Sequence, residues 1–459
     1  MTYRQMITVL ATLGVVAAQP RAMGQATQPA SDEIAPRLRP PRWLANKWWH
    51  NDLRLWDKSD LRYQDHRESA AYSLSFEEAI DPSKEQAMLE FRRLKNAGVR
   101  VLDYMTVYHH PEPRLRVKEG WWQTDHVGWY VVDADGRPRE TTFPEFQPGW
   151  HQTCVNNPAF VADVLRHMAA VMEAGADGIF VDDVAPMSRC FGPETKNHSH
   201  RIARSPDGGV HMPLGRIELA IPNRPASKAK PPERESDPTA NAALVALLAD
   251  IKRVIRQINP DAVLCINPKD ITTVPPSMWA VVDMVLFDAF VTTDRPPADD
   301  ADTARWLPWH VWYGSMMQCL PFLQQGKRII AYSYFGKVRG KALEADSFYA
   351  YCTAKLFDAV WGKSYVRDLR DSFATKLGRP LADRPLERNG VYYREYENAM
   401  VLVNPSNEPK TFAWPQPEGQ RVFDHCQAEG LPDGETLEVE IPPASGRLYE
   451  YEVPSNARR

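Results

Sequence analysis

What this chain has little of narrows its roles first. Its six cysteines, at positions 154, 190, 265, 319, 352 and 426, form neither a close-spaced disulfide framework nor a zinc pattern. A formal net charge of −4 and a pI near 6.3 give no general attraction for polyanions, so nucleic acid is not an expected partner. No glycine-rich phosphate loop follows any apolar run, which argues against an open, nucleotide-binding sheet. There is no HExxH spacing. Beyond the N-terminus no stretch is apolar enough to span a bilayer, so no integral membrane segment is expected in the mature chain.

The N-terminus carries Arg4, an apolar run from Met6 to Ala18, and the small-x-small triplet Ala22-Met23-Gly24. The run is shorter than the ~20 residues of a spanning helix. Residues 1–24 therefore read as a cleaved secretory signal, and the mature chain is expected in the periplasm or outside the cell. Residues 25–42, rich in Gln, Pro, Ala and Arg without periodicity, read as a flexible linker. Export permits disulfides, and Cys154 and Cys190, which flank one helix-and-strand unit, could meet on one rim. Cys265 lies in an apolar run and reads as core.

The most informative stretch runs from Asn157 to Val184. Asn157-Pro158 opens a helical pattern in which Phe160, Val161, Val164, Leu165, Met168, Val171 and Met172 recur at spacings of three and four, stopped by Gly175. The apolar run Gly178-Ile-Phe-Val181 follows and ends in Asp182-Asp183. Helix, glycine, buried strand and acid follow in order, and strand alternation sends Asp182 and Asp183 to opposite sides.

The same succession recurs. A helical pattern ending at Gly98 precedes the run from Val99 to Tyr108. Another, from Ala240 to Ile258, precedes Ala262-Val-Leu-Cys-Ile-Asn267. Met284-Val-Leu-Phe-Asp288 comes next, then a helical pattern from Trp309 to Leu323, Gly326, and the run from Arg328 to Tyr334. Alternating helices and short apolar strands imply a parallel sheet, and over residues 43–385 their number favours an α/β fold of the (β/α)8 TIM-barrel type. Residues 185–237, with Gly208-Gly209 and several prolines, form a long insertion after the acid-bearing strand and would overhang a site there. Over residues 386–459 the texture becomes short alternating strands parted by Asn, Pro and Gly turns, which predicts a small C-terminal antiparallel β-domain.

Active groups of such barrels sit at the C-terminal ends of the strands. Asp182 and Asp288 both fall there, and a carboxylate pair is what glycosidic bond cleavage requires: one group protonates the leaving oxygen, the other attacks the sugar. The structural alternatives are a turn cap for Asp182 and an arginine partner for Asp288. Candidate substrate-binding residues are Asp183, Asp103, Tyr104, Trp150, His151, Asn267, Lys269, Tyr332 and Tyr334. Flat aromatic faces suit the C–H faces of sugar rings, and polar groups at strand ends suit their hydroxyls. His109-His110 and His198-Ser-His200 invite a metal reading, but the second pair falls in the insertion, and a catalytic zinc needs three fixed ligands. No metal or other cofactor is expected, and the expected partner is a carbohydrate substrate.

The stretch Asp177-Gly-Ile-Phe-Val-Asp182 resembles the fourth-strand motif of several (β/α)8 α-glycosidases, in which the terminal aspartate is the nucleophile. The runs ending at Asn267 and Asp288 resemble the fifth and sixth strands of the family 114 endo-α-1,4-polygalactosaminidases and related glycoside hydrolases. That resemblance puts Asp288 where an acid/base stands, often a glutamate. The resemblance implies a glycoside hydrolase acting on α-linked sugars with retention, and the N-terminal pattern implies its export. A non-catalytic carbohydrate-binding protein on the same barrel and a metal-dependent hydrolase are the alternatives.

Overall fold

The computed structural model describes residues 44–46, 70–74, 100–107, 109–111, 129–140, 150–185, 187–191, 238–268, 270–292, 308–333, 340–363, 377–432 and 434–452. The expected signal and linker, and most of the 185–237 insertion, lie outside them.

The first helix, α1 (Pro158–Glu173), shows how local sequence sets an element. Asn157 caps it, its side-chain oxygen accepting from the backbone N–H of Ala159 (3.0 Å) and Phe160 (3.3 Å), and Pro158 fills the first turn, where its missing N–H costs nothing. Its buried face is Phe160, Val161, Val164, Met168, Val171 and Met172. Gly175, at φ 105, adopts the left-handed backbone that ends the helix and turns the chain into a strand.

Among the described residues, ten strands precede residue 364: β1 (Leu44–Asn46), β2 (Ala70–Leu74), β3 (Arg100–Thr106), β4 (His109–Pro111), β5 (Trp150–Gln152), β6 (Gly178–Val184), β7 (Val263–Pro268), β8 (Met284–Phe287), β9 (Arg328–Ser333) and β10 (Val360–Lys363). All but β4 and β5 form one eight-stranded sheet in the order β1-β2-β3-β6-β7-β8-β9-β10, with every pair parallel. β10 returns to lie beside β1, which closes the barrel. α1 precedes β6; α2 (Pro238–Ile258) precedes β7, α3 (Pro276–Val281) β8, α4 (Trp309–Gln324) β9, and α5 (Gly340–Lys355) β10. No described helix is long and apolar enough to cross a membrane.

Both faces of this sheet are buried, so its strands read as continuous apolar runs. Leu102, Phe180, Val263, Cys265, Met284, Leu286, Ile330, Tyr332 and Val360 fill the interior. Alternating with them, Ile179, Val181, Leu264, Ile266, Val285, Ile329 and Ala331 face the helices. Packing is tight at Gly178, where a Cβ would stand 2.1 Å from the carbonyl oxygen of Val263. At the foot of the barrel, Asp283 accepts from Lys252 Nζ (2.7 Å), Arg256 Nη2 (3.0 Å) and the backbone N–H of Leu264 (3.0 Å), tying α2, β7 and β8 together.

The C-terminal part is antiparallel. β11 (Leu386–Arg388), β12 (Val391–Tyr396), β13 (Ala399–Asn404), β15 (Arg421–Asp424), β16 (Glu429–Gly430) and β18 (Ser445–Glu452) make a sheet in the order β11-β12-β13-β18-β15-β16. A ribbon of β14 (Lys410–Pro415) and β17 (Thr436–Ile441) covers one face over Met400, Leu402, Phe412, Trp414, Leu437 and Tyr449. The other face joins the barrel core through Tyr396, Val401, Val403 and Leu448. Arg394 Nη1 donates to Leu356 O (2.8 Å) and Tyr396 Oη to Lys355 O. Gly446 lies so close to α5 that a Cβ would fall 2.6 Å from Cys352 Cβ. The antiparallel sheet is thus a wall of the same core.

Candidate active site

Side-chain parity inside the barrel assembles the site. Phe180 points inward on β6, so Asp182 does too. Cys265 sets the same face for Asn267 on β7, and Leu286 sets it for Asp288, just past the end of β8. Three neighbouring strands therefore deliver these residues to one mouth, at their C-terminal ends. Asn267 Nδ2 donates to Asp182 Oδ1 at 2.6 Å and to Asp288 Oδ2 at 3.4 Å. Asp182 is fully buried and Asn267 is 5% exposed, while Asp288 is half-buried. With both contacts on carboxylate oxygens, the amide must present its NH2 to them, which leaves Asn267 Oδ1 buried with no hydrogen-bond partner.

The backbone around both acids is unusual. Strict alternation over Asp182-Asp183 fails, because Val181 pairs with Ile266 while Val184 pairs with Pro268. Two residues stand opposite one, a β-bulge, and Asp183 takes φ 54. Its backbone N–H turns onto Asp182 Oδ1 at 3.0 Å. Beyond β8, Ala289 (φ 57) and Val291 (φ 54) are also left-handed. Such non-glycine residues cost on the order of 1–3 kcal/mol each and persist only where their surroundings hold them. Here Phe290 N donates to Tyr332 O (2.7 Å) and Ser333 Oγ to Phe290 O (2.9 Å), pinning the loop after Asp288 to β9.

The other expected site residues are distributed unevenly. Asp183 adjoins the pair. Asp103 is buried, but on β3 it shares the outer face with Met105 and Val107, opposite Leu102, and so stands apart from the mouth. Tyr332 is 1% exposed among the interior apolar residues, where its ring packs rather than forming an open platform. His151 is buried with its ring 5.0 Å from that of Tyr130, on the hairpin of β4 and β5 that places Trp150 opposite Pro111. Of Tyr104 and Trp150 only the backbone is described. Lys269, Tyr334, His198 and His200 lie outside the described residues. Asp270 caps the turn Ile271–Thr273 through Thr272 N at 2.9 Å.

Two residues at the mouth carry no sequence signal of their own. Thr106 is buried and stands opposite Asp182 in the β3–β6 register, findable only by carrying the parity of Leu102 forward. Ser333 holds the β8 loop by a contact between distant segments. A cavity of about 530 Å³, lined by Val184, Leu244, Val245, Pro268 and Met278, has neither Asp182 nor Asp288 in its lining. Among the described residues no cluster of three His, Cys, Asp or Glu could hold a metal ion.

No protein-family profile and no curated protein sequence matches this chain. Solved structures do. A GH27 β-L-arabinopyranosidase from Geobacillus stearothermophilus aligns over 91% of this chain and 97% of its own, at 11% identity and a TM-score of 0.51. An Anoxybacillus α-amylase aligns over 86% and 90%, at 10% identity and a TM-score of 0.49. The glycoside hydrolase domain of PelA from Pseudomonas aeruginosa aligns over 71% and 95%, at 13% identity and a TM-score of 0.40. At 11% identity the likeness to the arabinopyranosidase is one of fold alone.

Proposed function

We propose that the protein is a retaining glycoside hydrolase, with Asp182 as nucleophile and Asp288 as general acid/base. The observation that carries this is the amide of Asn267, shared by the two carboxylates. Because one nitrogen reaches an oxygen of each at 2.6 and 3.4 Å, those oxygens are no more than about 6 Å apart. Retaining enzymes hold their carboxyl groups at about 5–5.5 Å, whereas inverting ones need roughly 6.5–9.5 Å to admit a water.

In this reading Asp288 gives its proton to the glycosidic oxygen as an oxygen of Asp182 bonds to the anomeric carbon and the leaving sugar departs. Asp288, now a carboxylate, takes a proton from water, whose oxygen displaces Asp182 and restores both groups. Asn267 and the backbone N–H of Asp183 hold Asp182 in place, so the attacking oxygen needs little reorganisation. The motif ending in Asp182 favours α-linked sugars, and the resemblance to the polygalactosaminidases makes α-1,4-linked amino sugars the first substrates to try. The N-terminal pattern supports export, which would bring the enzyme to polymeric glycans.

The test is to incubate the purified protein with panels of α- and β-linked oligosaccharides, α-1,4-linked galactosamine oligomers included, and to follow product mass and anomeric configuration. Release of product with the substrate's own configuration is expected. An Asp182→Gly variant should regain turnover with azide and yield a glycosyl azide of opposite configuration. Products of inverted configuration would overturn the roles of nucleophile and acid/base. Glycan binding without turnover, unchanged by Asp182→Asn, would instead identify a carbohydrate-binding protein.

A further inference from the structure

Strand β9 grips the chain just past Asp288 with a side chain that takes no direct part in the chemistry proposed above. The β8–β9 ladder pairs Phe287 with Ala331 and goes no further. Beyond it β9 takes both backbone groups of a single residue: Phe290 N donates to Tyr332 O (2.7 Å), and Phe290 O accepts from Ser333 Oγ (2.9 Å). These two bonds fix the peptide planes that join Phe290 to its left-handed neighbours, Ala289 (φ 57) and Val291 (φ 54). Val291 is the more telling of the two, because a β-branched residue in that region is a genuine outlier, and here it is buried at 1% exposure. Ring contacts anchor the same residue, Phe290 lying edge-to-face with Phe287 (5.4 Å) and Trp312 (5.3 Å). The rings fix where Phe290 sits, and the backbone bonds fix how its peptides are turned.

One of those bonds is main chain to main chain and survives most substitutions. The other depends on the hydroxyl at position 333. We infer that Ser333 is a positioning residue for Asp288: its hydroxyl keeps the Phe290–Val291 peptide turned and so holds the Asp288 carboxylate at the amide of Asn267. The inference rests on Asp288 being the acid/base.

The physical chain is short. Ser333 and Phe290 are both fully buried, so water does not replace a donor lost from position 333. Without it the Phe290 carbonyl has a reason to turn away, and a peptide rotation changes ψ of Phe290 and φ of Val291 together, which relieves the strain at Val291. The slack then passes through Ala289 to Asp288. Asp288 is also the looser end of the shared amide, at 3.4 Å from Asn267 Nδ2 against 2.6 Å for Asp182. Asp182, held from β6 and β7, stays in place. Loss of the hydroxyl should therefore weaken proton delivery to the leaving oxygen and spare nucleophilic attack.

The test compares Ser333→Ala with Asp288→Ala in the full chain on two substrates of one sugar. The first is the oligosaccharide that the panel shows to be cleaved, whose leaving alcohol needs a proton; the second is the dinitrophenyl glycoside, whose phenolate departs without one. The quantity read is kcat/KM, which reports the first, bond-breaking step. Ser333→Ala is expected to lose about ten- to a hundredfold on the oligosaccharide and no more than about threefold on the dinitrophenyl glycoside. Ser333→Thr, which keeps the donor, should stay within about threefold of the parent on both. A crystal structure of Ser333→Ala needs no substrate, and it should show Val291 out of the left-handed region and Asp288 Oδ2 more than about 4 Å from Asn267 Nδ2. An unmoved Asp288, equal losses on the two substrates, or a Ser333→Thr variant as impaired as Ser333→Ala would overturn the inference. If Asp288→Ala shows no dependence on the leaving group, the acid/base reading falls and the inference with it. If Asp288→Ala shows that dependence and Ser333→Ala does not, the inference alone falls.

Discussion

Strand β8 begins beside one aspartate and ends beside another, and their surroundings differ in kind. Asp283, at the foot, accepts from Lys252, Arg256 and a backbone N–H, and Lys327 reaches the neighbouring carbonyl of Val282 at 2.8 Å. The cations are crowded enough that burial, with Lys252 and Arg256, lowers the pKa of Lys327. Asp288, at the mouth, shares a neutral amide with a second carboxylate, between backbones bent into left-handed turns. At the foot the charge is neutralised and the elements are locked. At the mouth two carboxylates are brought onto one neutral amide, a contact without a cation. The same residue type at opposite ends of one strand thus separates a structural ion network from the pair proposed to react, in line with the barrel's general division of stability from chemistry.

The comparison is sharpened most by Asp182→Asn. The change keeps shape and most hydrogen bonds while removing the proposed nucleophile, so turnover should fall by about three or more powers of ten with the melting temperature little changed. Asp183→Asn should cost roughly ten- to a hundredfold, since that residue contributes its backbone N–H whichever side chain it bears. If Asp183→Asn were the inactive variant and Asp182→Asn the active one, the roles of the two acids would be exchanged.

Asn267→Ala comes next. It removes the donor that both carboxylates share, and a loss of about ten- to a hundredfold in kcat is expected, with a smaller change in KM. Asn267→Asp should be worse and differently so. A third carboxylate beside the other two raises their apparent pKa values, so the acidic limb of the pH–rate profile should move to higher pH. An unmoved profile would show that Asn267 does not couple to the titrating groups.

At the foot the expectation reverses. Asp283→Asn leaves Lys252 and Arg256 facing each other without their shared partner, and stability should drop by about 1–3 kcal/mol. Turnover per folded molecule should stay within about twofold of the parent. Chemical denaturation together with active-site titration separates the two quantities. A large loss of kcat in a fully folded Asp283→Asn protein would erase the contrast between foot and mouth.

Much of this architecture is legible in the sequence because its signals are periodic. The pattern from Phe160 to Met172, its Asn157 cap and the Gly175 stop predict α1 and the strand it feeds. The C-terminal runs from Val391, Met400, Thr411, Leu437 and Arg447 all appear as strands. Short elements such as β1, β11 and the β4–β5 hairpin offer too few residues for a period to show. The bulge at Asp182-Asp183 is invisible for another reason: it exists only as a mismatch between β6 and β7, so strict alternation describes that strand only as far as Asp182. Asp103 shows the opposite case. Its parity could be read against Leu102, yet it stands among the expected site residues, while Thr106, on the inward face, has nothing to mark it without a register. Tyr332 illustrates that an aromatic near a strand end can fill the barrel rather than line its mouth.

The smallest effect is expected in the antiparallel region, at a carboxylate whose shift comes from burial alone. Glu395 lies on β12 opposite Met400, and burial raises its pKa above the ordinary carboxylate value. A raised folded pKa means that the native state binds more protons than the unfolded chain between the unfolded value, about 4.3, and the folded one. Stability is therefore greatest below that window, falls as pH rises through it, and is level above. Glu395→Gln removes this dependence without changing shape. The variant should match the parent below pH ~4 and melt about 1–2 °C higher at pH 7, with kcat unchanged at both, as partial exposure keeps the penalty small. Thermal melts at the two pH values and one turnover assay suffice. If Glu395→Gln removed turnover while the melting temperature stayed put, a carboxylate of the antiparallel sheet would belong to the chemistry, and the division between a reactive mouth and supporting walls would fail.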